Sequence, residues 1–190
     1  RVVANKQVDA VYVSAPRPQD SRIRLLEQNN FPYIVHGRSE GLQFEYPFVD
    51  IDNDGAFHDA ARLMVQFGHT RLALINGDAT QTFAIHRERG VRRALGSFGL
   101  KLAEGDLHSV AMTEENGYRA ARALLDREER PTAILCSSLH MALGVVRATR
   151  DLGLSIPGDV SLIAHDDVFP FLKPEGFPVP LTTTRSSIRA

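Results

Sequence analysis

The chain has 190 residues, 43% of them hydrophobic, with 22 Lys+Arg against 23 Asp+Glu and no tryptophan. That length supports one sizeable core or two small lobes. The near-neutral balance argues against a surface dedicated to the nucleic-acid backbone, which carries a basic excess, and no apolar run approaches the roughly 18 residues that cross a bilayer.

The opening "RVVANKQVDA" has no signal-peptide h-region; it reads as a helix tail running into a strand, and a fragment is therefore expected. "VDAVYVS" (8–14) reads as a strand, "DSRIRLLEQNN" (20–30) as a helix, "PYIVH" (32–36) as a strand and "FVDI" (48–51) as a short strand or crossing segment. In "NDGAFHDAARLMVQFG", Ala56, Ala60, Leu63, Met64 and Phe67 recur at helical spacing, and Gly68 stands where a left-handed cap ends the helix. "RLALIN" (71–76) returns to strand, followed by a helix over 84–98 and a weak strand, "LHSVA" (107–111). Thr113 is a good N-cap, with Glu114 and Glu115 where the helix dipole favours anions. "TAILC" (132–136) predicts a strand, 138–152 a helix closed by Gly153, "DVSLIAH" (159–165) a strand and "PVPLTTTR" (178–185) a last extended segment. Strand and helix alternating at about 30 residues per unit predict parallel βαβ units.

The units are uneven. Residues 53–165 supply at least four strands with covering helices, enough for a doubly wound lobe, whereas 1–50 supply two or three strands and about one helix. The expected organisation is therefore an incomplete first lobe from 1–52 plus 185–190 and a second lobe from 53–184.

In parallel sheets ligands sit beyond the carboxyl ends of the strands. Ser14, His36, Ser138 and the pair Asp166/Asp167 fall at such ends. An aspartate there can accept hydrogen bonds from ligand hydroxyls or simply cap the next turn. In "HRERGVRRAL" the stripe Val91, Leu95, Phe98, extended backwards, reaches Arg87, while Arg89, Arg92 and Arg93 fall on a solvated face. A buried-side arginine needs an anionic or hydroxyl-rich partner, which is either a neighbouring carboxylate or a ligand. The seven histidines show no HExxH and no Cys/His cluster with metal spacing. GxGxxG, Walker A and GxSxG motifs are also missing, so neither metal nor cofactor is expected. His165, Asp166 and Asp167 would alternate between sheet faces and not converge on one substrate, which argues against catalysis. The lone Cys136 rules out an internal disulfide and suits a reducing, cytoplasmic setting.

"FVDIDNDGAFHDAARLMVQFGHTRLALING", with its "GHTRLALI" core, resembles the lactose-repressor (LacI/GalR) family of regulators where the chain enters the second lobe of the effector domain. "HRERGV", "PTAILCSSLHMALGVVRATRDLGLSIPGDVSLIAHDD" and "PLTTTR" follow in the family's order. The resemblance implies a two-lobed α/β fold like type I periplasmic sugar-binding proteins, and a helix-turn-helix headpiece outside this chain. It also implies that Arg87, three positions before Gly90, contacts effector hydroxyls or carboxylates and that Asp166 accepts from sugar hydroxyls, with Asp167 structural. Ser14 and His36 match cleft-facing strand ends, and Ser138 the residue that opens a cleft-side helix. Met112 stands where some members place an aromatic that stacks on the ligand. Leu139 replaces a usual Asp, and Ala164 a common Gly.

The implied partners are a small effector, a sugar or glycoside by that resemblance, a second copy of the chain, and operator DNA reached through the headpiece; no membrane is expected. Met141, Val145 and Val146 on the 138–152 helix could serve that second copy or the core. The implied function is binding and coupling without bond chemistry. The rivals are a periplasmic sugar-binding protein of a transporter and a sugar- or nucleoside-processing enzyme on the same scaffold.

Overall fold

The computed structural model describes residues 8–166 and 168–186, with the backbone alone at Asp166. It consists of two parallel sheets. β1 (Val11–Ser14), β2 (Tyr33–His36) and β3 (Phe48–Val49) form the smaller, in that order. The larger contains β4 (Leu72–Asn76), β5 (Leu107–Ser109), β6 (Ala133–Cys136), β7 (Ser161–Asp166) and β8 (Thr182–Arg185), in the spatial order β5-β4-β6-β7-β8. Every ladder among them is parallel. Among the described residues, the α-helices connect strands: α1 (Ser21–Gln28), α2 (Asn53–Gln66), α3 (Thr82–Ser97), α4 (Glu114–Leu125) and α5 (Leu139–Asp151).

The larger sheet is buried on both faces because its strands are apolar at odd and even positions alike. Ala73, Ile75, Ile134, Cys136, Leu162 and Ala164 point toward α4 and α5. Leu72, Leu74, Ala133, Leu135 and Ile163 point toward α2 and α3. Two close helix crossings depend on missing side chains. A Cβ at Gly90 of α3 would collide with the Asp54 carbonyl of α2, and one at Gly144 of α5 with the Glu114 carbonyl and Tyr118 amide of α4.

Among the described residues, the smaller sheet is covered on one face. Val13 and Val35 pack on Ile23 and Leu26 of α1, while Tyr12 and Ile34 stand exposed on the other side. Asp20 caps α1 and accepts from the backbone amides of Arg17 and Arg22 and from the Arg22 guanidinium. Burial alone would raise its pKa, but those donors outweigh it and bring the carboxyl down to about 2.

The helix caps fall where the sequence puts them. Thr113 accepts from the Asn116 amide, and Gly68 and Gly153 follow their helices with φ of +92° and +69°. Two stripe residues do not behave as expected. Phe67 is 74% exposed and Phe98 44%. Both are C-cap residues, where the chain leaves the helical phase, so the stripe no longer aims them inward. Phe57 is buried in place of Phe67. "FVDI" is strand only at 48–49, and "LHSVA" only at 107–109. Met141 and Val145 belong to the core and Val146 packs at its edge. Among the described residues, no helix is long and apolar enough to cross a membrane.

Candidate functional site

Because every strand of a parallel sheet ends on the same side, the carboxyl ends of the two sheets can form opposite walls of a single hollow. A cavity of about 210 Å³ lies there. From the smaller lobe it is lined by Ser14 and His36 at the ends of β1 and β2, with Ala15, Pro16 and Gly37. From the larger lobe come Phe83 and Arg87 of α3 and Met112 before α4, while Asp50, Ile51 and Asn53 line it where the chain crosses between lobes.

Arg87 organises the floor. It is 4% exposed, as expected for a residue one turn before the buried Val91. Its Nε donates to Asn53 Oδ1 at 2.8 Å and its Nη1 to the Ser137 carbonyl at 2.7 Å. The guanidinium carbon lies over the Phe57 and Phe83 rings, 4.9 Å from each centroid. Two aromatic faces and two fixed acceptors hold the fork in one orientation, a stronger restraint than a single ion pair would provide.

That arrangement continues in both directions. The Ser137 hydroxyl donates to Asn76 Oδ1 at 2.6 Å, and the Asn76 amide donates to the Ala84 carbonyl at 2.8 Å, tying β4 and β6 to α3. On the other side the Asn53 amide reaches Asp50 Oδ1 at 3.4 Å and the Ile51 carbonyl at 3.3 Å, in the crossing segment. Asp50 also receives the Arg38 Nε at 3.2 Å. A polar chain thus runs from the smaller lobe through the crossing to the sheet of the larger one. Among the described residues no buried side-chain nitrogen or oxygen lacks a partner.

His165, at the end of β7, is 2% exposed, with Nδ1 2.9 Å from Thr184 Oγ1 and its ring 6.2 Å from that of Phe57. Burial first, and the Arg87 charge second, push its pKa down to about 3, so the ring is neutral at neutral pH. Cys136 is fully enclosed in the sheet, and burial pushes its thiol pKa up, which leaves it inert. No group of three or more His, Cys, Asp or Glu among the described residues is placed to hold a metal.

Of the residues singled out from the sequence, Ser14, His36, Arg87 and Met112 line this one cavity. Ser138 does not line it. It is 2% exposed and its hydroxyl accepts from the Met141 amide at 3.3 Å, the N-cap of α5. Its neighbour Ser137 faces the arginine instead. Asp166 ends β7 with its backbone paired to Arg185, but its side chain, like all of Asp167, lies outside the described residues. Sequence reasoning missed Asp50, Asn53 and Phe83. Phe83 lies four residues before Arg87 on the same helix face, and Asp50 follows a strand, so a signal existed for both. Nothing local marks Asn53.

Residues 61–190 match a protein family described as "Periplasmic binding protein-like domain". The HTH-type transcriptional regulator AglR of Rhizobium meliloti is 55% identical over all 190 residues, which correspond to 53% of that protein. A LacI-family regulatory protein from Chloroflexus aggregans superposes with a TM-score of 0.83 at 28% identity, over 96% of this chain and 64% of that one. A transcriptional regulator CelR–cellobiose complex superposes with a TM-score of 0.81 at 30% identity, over 95% of this chain and 55% of the other. The chain therefore spans about half the length of curated relatives that it matches.

Proposed function

This chain belongs to the effector-binding, periplasmic-binding-protein-like domains of the LacI/GalR family of transcription regulators, and from that premise we propose that its interlobe cavity binds a sugar or glycoside that adjusts the DNA affinity of the whole protein. The observation that carries the reading is the cavity itself, lined from both lobes and floored by a guanidinium fixed in orientation. Sugar recognition needs a few convergent polar groups beside apolar surface, because hydroxyls alternate with C–H faces. Arg87, His36, Asp50 and Ser14 supply the first, Phe83, Met112 and Ile51 the second. That the regulator CelR has been solved with cellobiose supports the ligand class.

We place the lobe boundary at 52–53, with the return to the smaller lobe at the end of β8 near 185; residues 1–7 and 187–190 lie outside the described residues. A ligand touching both lobes favours one lobe angle. In a homodimer that angle sets the spacing of two headpieces on operator half-sites, in the cytoplasm. The kinship is with regulators rather than with transporter-linked sugar-binding proteins or with enzymes. A thermal-shift screen of the full-length protein against mono- and disaccharides tests this. A sugar at a hundred times its Kd stabilises the native state by about 2.7 kcal/mol, and the same sugar should change operator binding. If no sugar raises Tm or changes DNA affinity, the reading fails.

A further inference from the structure

The cavity has walls from two lobes, so whatever holds the lobes together also holds its shape. Apart from the crossing at 50–53, α3 carries such contacts. Its first residue, Thr82, is 1% exposed and directs both its backbone N–H and its hydroxyl to the Pro16 carbonyl, each at 2.9 Å. One turn further, the buried His86 places Nε2 2.7 Å from Glu40 Oε1, and Arg89 Nη1 is 3.5 Å from the same oxygen. A carboxylate only accepts, so the imidazole donates. The His86 bond is the main reason the Glu40 carboxyl sits below its ordinary pKa.

The acceptor side is a built platform. The Glu40 carbonyl receives the Gln19 amide at 2.8 Å, and Gly37, at φ +103°, lies so close to Pro16 that a Cβ would come within 2.8 Å of the proline Cδ. The loops after β1 and β2 therefore act as one body. On α3, positions 82, 86 and 89 form one stripe, and Phe83 and Arg87 the next. The first stripe meets the smaller lobe and the second meets the cavity.

We propose that the Glu40–His86 contact, backed by Thr82 on Pro16, is an interlobe latch that holds the cavity preformed without ligand and so sets effector affinity. Its effect on affinity rests on the effector-site reading; its effect on lobe contact does not. Glu40 is half exposed, so the latch is weak enough to open, and an open state releases the Thr82 amide to solvent. In the full-length, ligand-free protein, hydrogen exchange at the Thr82 amide reads this directly.

Glu40→Ala and His86→Ala are each expected to speed that exchange roughly three- to tenfold. The double variant should go no further, as a shared contact requires. In the binding screen, sugar Kd should rise by the same factor in Glu40→Ala, which alters no cavity-lining residue. Unchanged Thr82 exchange in Glu40→Ala, or single effects that simply add in the double variant, would overturn the latch. Because Glu40 is a surface residue, its variant decides the matter even if His86→Ala does not fold. Coupled exchange in a protein that binds no sugar would uphold the latch and refute the effector-site reading instead.

Discussion

Replacing Arg87 by methionine removes the guanidinium while keeping an apolar stem between Phe57 and Phe83. The size of the effect follows from what the guanidinium leaves behind. Asn53 Oδ1 and the Ser137 carbonyl each lose a donor within 2.8 Å in a buried setting. A buried acceptor stripped of its partner costs about 1–3 kcal/mol, and two ring contacts at 4.9 Å add about 0.5–1 kcal/mol each. Desolvation of the charge is relieved, which offsets part of this, so a net loss of about 3–5 kcal/mol is expected, as for a buried charged cluster broken from one side. In a chain of this size 1 kcal/mol moves Tm by about 2–4 °C, so the variant should melt about 10 °C lower. Calorimetry on the full-length protein measures it. A variant melting within about 2 °C of its parent would mean that the fork is not a structural tie between crossing segment and sheet.

Two further outcomes are expected. His165 stays neutral in the folded state down to about pH 3 but protonates near 6.5 when unfolded, so its share of stability is intact above 6.5 and lost as pH falls toward 3. Urea unfolding at pH 7 and pH 5 should therefore show the parent losing about 2 kcal/mol more than His165→Gln over that interval, and equal losses would contradict the assignment. Gly144→Ala would drive a methyl into the α4 backbone and lower Tm by several degrees (about 1–3 kcal/mol of overpacking), whereas Gly96→Ala, with nothing within 4 Å of the added carbon, should raise it through helix propensity. Reading the two melting curves side by side checks the close approach of α4 and α5, and a neutral Gly144→Ala would disprove it.

The alternation of apolar strands with amphipathic helices already specified a parallel, doubly wound sheet. Gly68, Thr113 and Gly153 already marked helix ends. These are local matters: a residue's type and phase determine which face of its own element it occupies and how that element stops. Arg87 was legible for the same reason, since helical phase alone turns it toward the interior beside Val91. Phase stops being informative where an element ends, which is why Phe67 and Phe98 face solvent despite their spacing. It also says nothing about partners on other elements. That Arg87 lies against Asn53 and the Ser137 carbonyl, with Ser138 used as a cap one residue away, depends on how α2, α3 and the end of β6 dock. Glu40 meeting His86 depends on the angle between lobes. Such contacts join positions 34 to 50 residues apart, and only the packing of whole elements, each driven by its own buried face, brings them within bonding distance.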